Sequence, residues 1–541
     1  MPNDRGAARL GPLALAALVM LPRLASAQFG LLDDGLTIQT GREVHGHWAN
    51  VLYLIPETGR FFPAYWLTYS AIWSLVGTRP LAFFVVNLVV LASLLAMLGR
   101  LVRLAGGTRV AVIIAAVAFA LSGPAIESFY TLSKAEPLQL AWILLSLMCT
   151  AAAAGRACRI IGRAGWAALA TAALLFAHAT KETSVVLVPI AIGWLVVERH
   201  TDPANPCSAR FARIYVAVTL VSAAAFALLR WRYAALPLGE GSYTRAYAFD
   251  VITLGPALFR TLAWLVRDFA FVALLAVVGL LRFGWHRPLT YACIWMVGWL
   301  VVYLPWPATF EYHLLPFAFG ASLLAGLVVG TMWSEHNLHR GQLVWSALAT
   351  CGVLWSVAVV NTTVDARVQL AVDRANAGLV DFLATLPRQS EVVLNMTPVN
   401  EYHYELPMHL AEIKRRPDIV FVRPGATRVR GEDTFAATAE MRDQPGPTVR
   451  IALHEAGVRQ DNVALGAAST GERVYHAVEH IAIIEIGIQR LLCRLAVPPV
   501  FDSTYCPGDR GLIFRRTFAY GWQVHRLVRQ AANAATIRHG G

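Results

Sequence analysis

Asp33 and Asp34 stand side by side directly after the first apolar run, in the stretch FGLLDDGLTIQTGREVHGHWANVLYLIPETGRFFP (29–63). Two adjacent carboxylates can split roles. Like charges at close range do not both ionise easily, so one acid keeps its proton while the other can act as a general base toward a hydroxyl or amine. The plainer alternative is a capped helix start, since Asp before an apolar turn is a good N-cap. Three further clusters set ionisable groups beside apolar runs, where they are costly and therefore informative. They are Lys134 and Glu136 in SKAEP (133–137), Lys181 and Glu182 in TKET (180–183), and Glu311, Tyr312 and His313 in EYHLLP (311–316). Arg60, Lys134 and Lys181 are cations suited to a phosphate leaving group, which gains negative charge as it departs. Snorkelling to the membrane interface is the alternative for each, as is neutralisation of Lys134 by Glu136 and of Lys181 by Glu182. His313 could donate to a phosphate or rest as a satisfied interfacial histidine. His45 and His47 could join Asp33 around a divalent cation, but two histidines one residue apart are weak spacing for a metal site. No cofactor is required by these motifs, and a divalent cation is the one candidate.

These residues must be positioned by membrane helices. The chain of 541 residues is 57% hydrophobic and only 15% charged, against about 25% charged for soluble domains. The net charge of +12 does not point to nucleic acid: the basic residues gather in short loops between apolar runs, as the positive-inside rule expects, with no basic patch interleaved with aromatics outside those loops. No Walker loop, strand-borne GxGxxG, HExxH or GxSxG is present in a supporting context, so nucleotide chemistry is unsupported and an activated sugar would arrive on a lipid. Among seven cysteines, Cys493 and Cys506 fall in an exported region and could either pair or stay free. Residues 1–27 read as an uncleaved anchor in preference to a signal peptide.

A spanning helix needs about 20 apolar residues. Eleven runs qualify as candidates: 8–28, 81–99, 109–125, 137–154, 164–179, 184–197, 212–229, 268–283, 289–306, 313–333 and 343–360. A twelfth, 63–77, is shorter. Counting it as a span would export every strongly basic loop, so it is expected as a helix in or dipping into the outer interface. With it set aside, the N-terminus is cytoplasmic and the four acidic or basic clusters share the outer face. Beyond 361 the long apolar runs stop. Strands are expected at 391–396 and 419–422, an amphipathic helix at 372–386 and a second helix at 476–496. The division expected is a transmembrane domain over 1–361, with an exported first loop at 29–80, and an extracytoplasmic α/β domain over 362–541.

The order of these motifs resembles the GT-C superfamily of membrane glycosyltransferases. The resemblance is to the branch of protein O-mannosyltransferases and the lipid A aminoarabinose transferase, that is, glycosyltransferase family 39-like. It is carried by Asp33-Asp34, by Arg60-Phe61-Phe62-Pro63-Ala64-Tyr65-Trp66, by Lys134-Ala135-Glu136-Pro137, by Thr180-Lys181 with Pro189, and by Tyr312-His313-Leu314-Leu315-Pro316. It covers roughly residues 8 to 360. The resemblance implies a GT-C fold of about eleven transmembrane helices. It also implies hexosyl or pentosyl transfer, with inversion, from a polyprenyl-phosphate donor to a lipid, glycan or protein acceptor. Asp33 would serve as base with Asp34 assisting. Arg60, Lys134, Glu136, Lys181, Glu182, Glu311, Tyr312 and His313 would serve the donor phosphate and substrate, in a bacterial inner membrane. One departure stands out: the family has Arg soon after its acidic pair, whereas here Gly35-Leu36-Thr37 follows and Arg42 is the nearest. The rival reading is a multispan transporter or lipid flippase, which would place charges at mid-bilayer and show repeat symmetry between halves.

Overall fold

The eleven apolar runs are mostly helical in the computed structural model of the chain, the run at 109–125 being divided between two helices. The structure describes residues 4–31, 33–52, 60–155, 160–200, 206–233, 251–283, 287–306, 310–334, 342–394, 402–422, 449–457, 472–486 and 513–526. Their helices, in chain order, are α1 (Asp4–Ala25), α2 (Asp34–Val44), α3 (Pro63–Val76), α4 (Pro80–Leu104), α5 (Arg109–Ala120), α6 (Gly123–Tyr130), α7 (Glu136–Ala154), α8 (Ile160–Thr180), α9 (Leu187–His200), α10 (Pro206–Tyr233), α11 (Val251–Phe283), α12 (Arg287–Tyr303), α13 (Leu315–Ser334), α14 (Gln342–Ala384) and α15 (Tyr402–Met408). The chain is a predominantly α-helical, multi-pass membrane protein with a C-terminal α/β portion. Among the described residues seven helices are long and apolar enough to cross a membrane, or eight if the bent pair α5 and α6 is one span. That is fewer than the eleven runs, because several of the others are short: α12 has 17 residues, about 26 Å at 1.5 Å per residue. Helix α3 has 14 residues, about 21 Å. It is helical, as expected, and too short to span a bilayer.

Proline sets the start of many elements. Pro63, Pro80, Pro124 and Pro137 each occupy the first turn of a helix, where a missing N–H is harmless and a fixed φ is an advantage. The bend of 57° between α5 and α6 falls where Ser122 caps a new helix, accepting from the Ala125 N–H at 3.4 Å, with Gly123 and Pro124 following. Helix α11 begins at Val251, well before the run at 268, so Arg267 and Asp268, which the apolar pattern had left at a loop edge, are helical.

By internal packing the chain forms two compact units. The first comprises Met1–Ala27, Thr40–Gln369 and Ile484–Arg516, and the second Gln28–Gln39, Leu370–Ile483 and Thr517–Gly541. Helix α14, 43 residues long, joins the run at 343–360 and the amphipathic segment at 372–386 in one continuous helix and supplies both units. The second unit holds a five-stranded sheet of order β2-β1-β3-β5-β4, with β1 (Glu391–Leu394), β2 (Val420–Val422), β3 (Arg450–Gly457), β4 (Arg473–Ile486) and β5 (Ile513–Arg526). Strand β1 pairs in parallel with β2 and β3, and β3 pairs antiparallel with β5. The first two strands match the expectation. The helix expected over 476–496 is corrected: 473–486 is strand β4. The segment is dense in β-branched residues (Val474, Val478, Ile481, Ile483, Ile484, Ile486), and a neighbouring strand satisfies its backbone. Residues 487–496, like Cys493 and Cys506, lie outside the described residues. The core of this unit gathers Leu379, Leu383, Val392, Leu406, Leu410, Phe421 and Trp522 around Leu31 from the first loop.

Candidate active site

In the first unit, three motifs far apart in sequence converge. Lys134 and Glu136 sit in the turn that opens α7, Lys181 in the turn that closes α8, and Glu311-Tyr312-His313 in a short 3-10 turn leading into α13. Lys181 Nζ donates to Glu136 Oε1, and both side chains are buried. The pairing crosses between motifs: Lys181 does not take the adjacent Glu182, nor does Glu136 take the nearby Lys134. His313 Nε2 lies 3.8 Å from the same Glu136 oxygen, while His313 Nδ1 accepts the Phe310 N–H at 3.1 Å. An accepting Nδ1 leaves the proton of a neutral ring on Nε2, facing Glu136. The His313 ring stacks on Tyr303 with centroids 4.8 Å apart and meets Tyr312 edge-on at 4.4 Å. The Lys134 ammonium lies 4.4 Å from the centre of the Tyr312 ring, and the Lys181 ammonium 5.4 Å from that of Tyr303. These rings favour a cation over their faces. Burial pulls the Lys181 ammonium below its ordinary pKa, and Glu136 pulls it back up.

Arg60 and Glu182 form a second pair beside this one. Glu182 accepts the Phe61 N–H at 2.7 Å and lies 3.8 Å from the Arg60 guanidinium and 4.0 Å from Arg230. Gln139, one turn into α7, donates to Ser184 Oγ at 2.8 Å and Thr183 Oγ1 at 3.1 Å, tying the α7 start to the turn that carries Lys181 and Glu182.

Glu311 joins a different network. Arg267 of α11 grips Asp268 with two bonds, of 2.8 and 3.0 Å, and reaches Glu311 Oε1 at 2.5 Å and Asp365 Oδ2 at 3.1 Å. Glu127 accepts the Tyr312 N–H at 2.7 Å. The turn that carries Tyr312 and His313 is thus held by α11 through Glu311 and by α6 through Glu127. Sequence reasoning missed Arg267, Asp268, Glu127, Tyr303 and Gln139. The Arg267-Asp268 dipeptide inside an apolar stretch was the available signal, since two charges there require partners.

Asp33 and Asp34 belong to the second unit. Asp33 has φ +66°, and Asp34 opens α2, its Oδ2 accepting the Gly30 N–H at 2.7 Å. The Tyr404 hydroxyl donates to Asp33 Oδ1 at 3.3 Å. His45 and His47 are exposed. His45 Nδ1 lies 2.8 Å from Ser74 Oγ and packs edge-on against Trp73 and Trp48. Among the described residues no group of three or more His, Cys, Asp or Glu side chains could hold a metal ion.

No family model matches the chain, and no curated protein matches it. Among solved structures, the chain is similar to ArnT from Cupriavidus metallidurans bound to undecaprenyl phosphate, with 16% identity over 82% of this chain and 92% of that one and a TM-score of 0.49. It is also similar to the Archaeoglobus fulgidus oligosaccharyltransferase in its apo form, with 11% identity over 76% of this chain and 64% of that one and a TM-score of 0.46.

Proposed function

We propose that the protein is a membrane glycosyltransferase that moves a sugar from a polyprenyl-phosphate carrier to an acceptor hydroxyl or amine. The observation that supports it is the convergence of Lys181 and His313 on Glu136, with Tyr303 stacked on His313 and Lys134 over the Tyr312 ring. Together with Arg60 this is a set of cationic and N–H donors suited to a sugar phosphate. In the reaction, Asp33 takes the acceptor proton as the acceptor atom attacks C1 of the sugar. The C1–O bond to phosphate breaks on the opposite face, the configuration inverts, and polyprenyl phosphate leaves. Lys134, Lys181 and Arg60 hold the charge that develops on it. Glu136 holds Lys181 in place until a phosphate arrives, and Glu182 does the same for Arg60. The site is assigned to the extracytoplasmic side of a bacterial inner membrane, with the N-terminus cytoplasmic, on the distribution of basic loops.

The experiment is turnover of purified protein with a panel of polyprenyl-phosphate sugars, following release of free polyprenyl phosphate. Undecaprenyl phosphate, the molecule bound in the ArnT structure, is the first carrier to try. Wild type is expected to release it, and Asp33→Asn to bind donor and release none. Full release by Asp33→Asn would refute the base assignment. Failure to bind any donor would move the reading to a transporter.

A further inference from the structure

One short segment deep in the C-terminal half holds the acidic pair. Helix α15 (Tyr402–Met408) continues as a π turn over His409–Ile413, and five of these residues meet the first loop within the second unit. Glu405 is fully buried. Its Oε2 accepts the Gly35 N–H at 2.7 Å and its Oε1 the Leu36 N–H at 3.2 Å. These N–H groups belong to the first turn of α2, where no intrahelical partner exists and the helix dipole favours negative charge. An Asp at the helix start would ordinarily supply that cap from its own side chain. Here a carboxylate from 370 residues further along the chain takes these two N–H groups. One residue earlier, Tyr404 donates to Asp33 Oδ1. His409 Nε2 lies 3.3 Å from Glu405 Oε2, and its ring meets Phe29 edge-on at 6.5 Å. Leu406 and Leu410 belong to the same buried cluster as Leu31.

The fit leaves no slack. A Cβ at Gly35 would lie 2.7 Å from His409 Cδ2 and 2.8 Å from Glu405 Oε2. That accounts for glycine following the acidic pair. Asp33 has φ +66°, in the left-handed region that Asp enters more readily than most residues with a Cβ.

We infer that Tyr404 and Glu405, from the C-terminal segment, are positioning residues for the acidic pair. Tyr404 fixes one oxygen of the Asp33 carboxylate, and Glu405 fixes the start of the helix that follows it. This rests on the reading of Asp33 as the base.

The test uses full-length protein carrying Tyr404→Phe or Glu405→Gln, with turnover and donor binding measured per folded molecule. Misaimed base chemistry lowers kcat and spares donor affinity, so Tyr404→Phe is expected to lose about tenfold in kcat with KM and bound donor unchanged. Unchanged kcat, or a raised KM with kcat intact, would overturn the inference. A thermal double-mutant cycle of Tyr404→Phe with Asp33→Asn reads the contact without any turnover. Non-additive Tm shifts support the contact, and additive shifts remove it. Wild type that releases no polyprenyl phosphate from any donor overturns the glycosyltransferase reading and the positioning role with it, and the cycle then decides the contact alone. Release that is lost in Asp33→Asn and kept in Tyr404→Phe overturns only the positioning role.

Discussion

At the scale of single residues, the Lys181–Glu136 pair is the feature with the sharpest energetic consequence. Both side chains are nearly inaccessible, at 9% and 1% exposure. A buried pair of this kind contributes little net stability, because desolvation offsets the attraction, yet removing one partner strands a charge. Lys181→Met is therefore expected to destabilise the protein by about 3–5 kcal/mol, and Lys181→Met with Glu136→Leu to recover most of that loss. Both changes abolish release if the lysine serves the leaving phosphate. Thermal unfolding in detergent beside turnover separates the two: the double variant should be stable and inactive. A stable, active double variant would make the pair purely structural. The cross-pairing also shows what sequence distance hides. Lys181 has Glu182 as its neighbour in the chain and takes Glu136 in the fold, because the turn after α8 brings Glu182 to Arg60 and the Phe61 N–H instead.

Close approach governs the elements. Gly326 and Gly330 of α13, four residues apart, face α5: an added Cβ would lie 2.4 Å from the Ala111 carbonyl oxygen at the first and 2.4 Å from Ala111 Cβ at the second. Small residues at this spacing let helix backbones meet in a membrane, where apolar burial drives nothing. Gly123, at the start of α6, is tighter still, since its Cβ would fall 1.6 Å from Glu311 Oε1. Gly330→Val is expected to lower the Tm of the detergent-purified protein, with a cost of about 1–3 kcal/mol from overpacking. Gly123→Ala is expected to displace Glu311 from Arg267 and to reduce turnover more than it reduces Tm. Equal losses in both would mean that the Arg267 network serves folding alone. Much of this level was legible beforehand. The apolar runs marked helices, seven or eight of them long enough to span among the described residues, and α3 is a short helix as expected. What was not legible depended on partners elsewhere. Val474 to Ile486 became a strand because β5 lies beside it. Arg267 and Asp268 looked like the edge of a span because their partners, Glu311 and Asp365, come from other helices. The segment from Tyr404 to His409 carried no signal at all, since its role appears only once Asp33 and Gly35 are beside it.

For the whole molecule, the second unit is the point at which sequence order misleads. A reading along the chain assigns the first loop to the membrane portion and everything past 361 to an appended domain. The packing instead builds one unit from Gln28–Gln39, Leu370–Ile483 and Thr517–Gly541, with Leu31, at 1% exposure, inside the same core as Leu379, Leu406, Leu410 and Trp522. Leu31→Ala should therefore cost about 2–5 kcal/mol, as for any large core residue, although it lies in a loop. Removal of residues 385–541 should do more. It takes away Leu406, Leu410 and Trp522 from Leu31, Glu405 from the α2 start and Tyr404 from Asp33, while every residue assigned to the donor phosphate stays in the chain. The truncated protein is expected to keep donor binding, to lose release of polyprenyl phosphate, and to be cut by protease between residues 28 and 39, where the full chain resists. Donor binding by a labelled polyprenyl-phosphate sugar, release, and limited proteolysis with N-terminal sequencing of the fragments read these three outcomes separately. Turnover that survives the truncation would return the C-terminal region to an accessory role and leave the acidic pair to be held by the first loop alone.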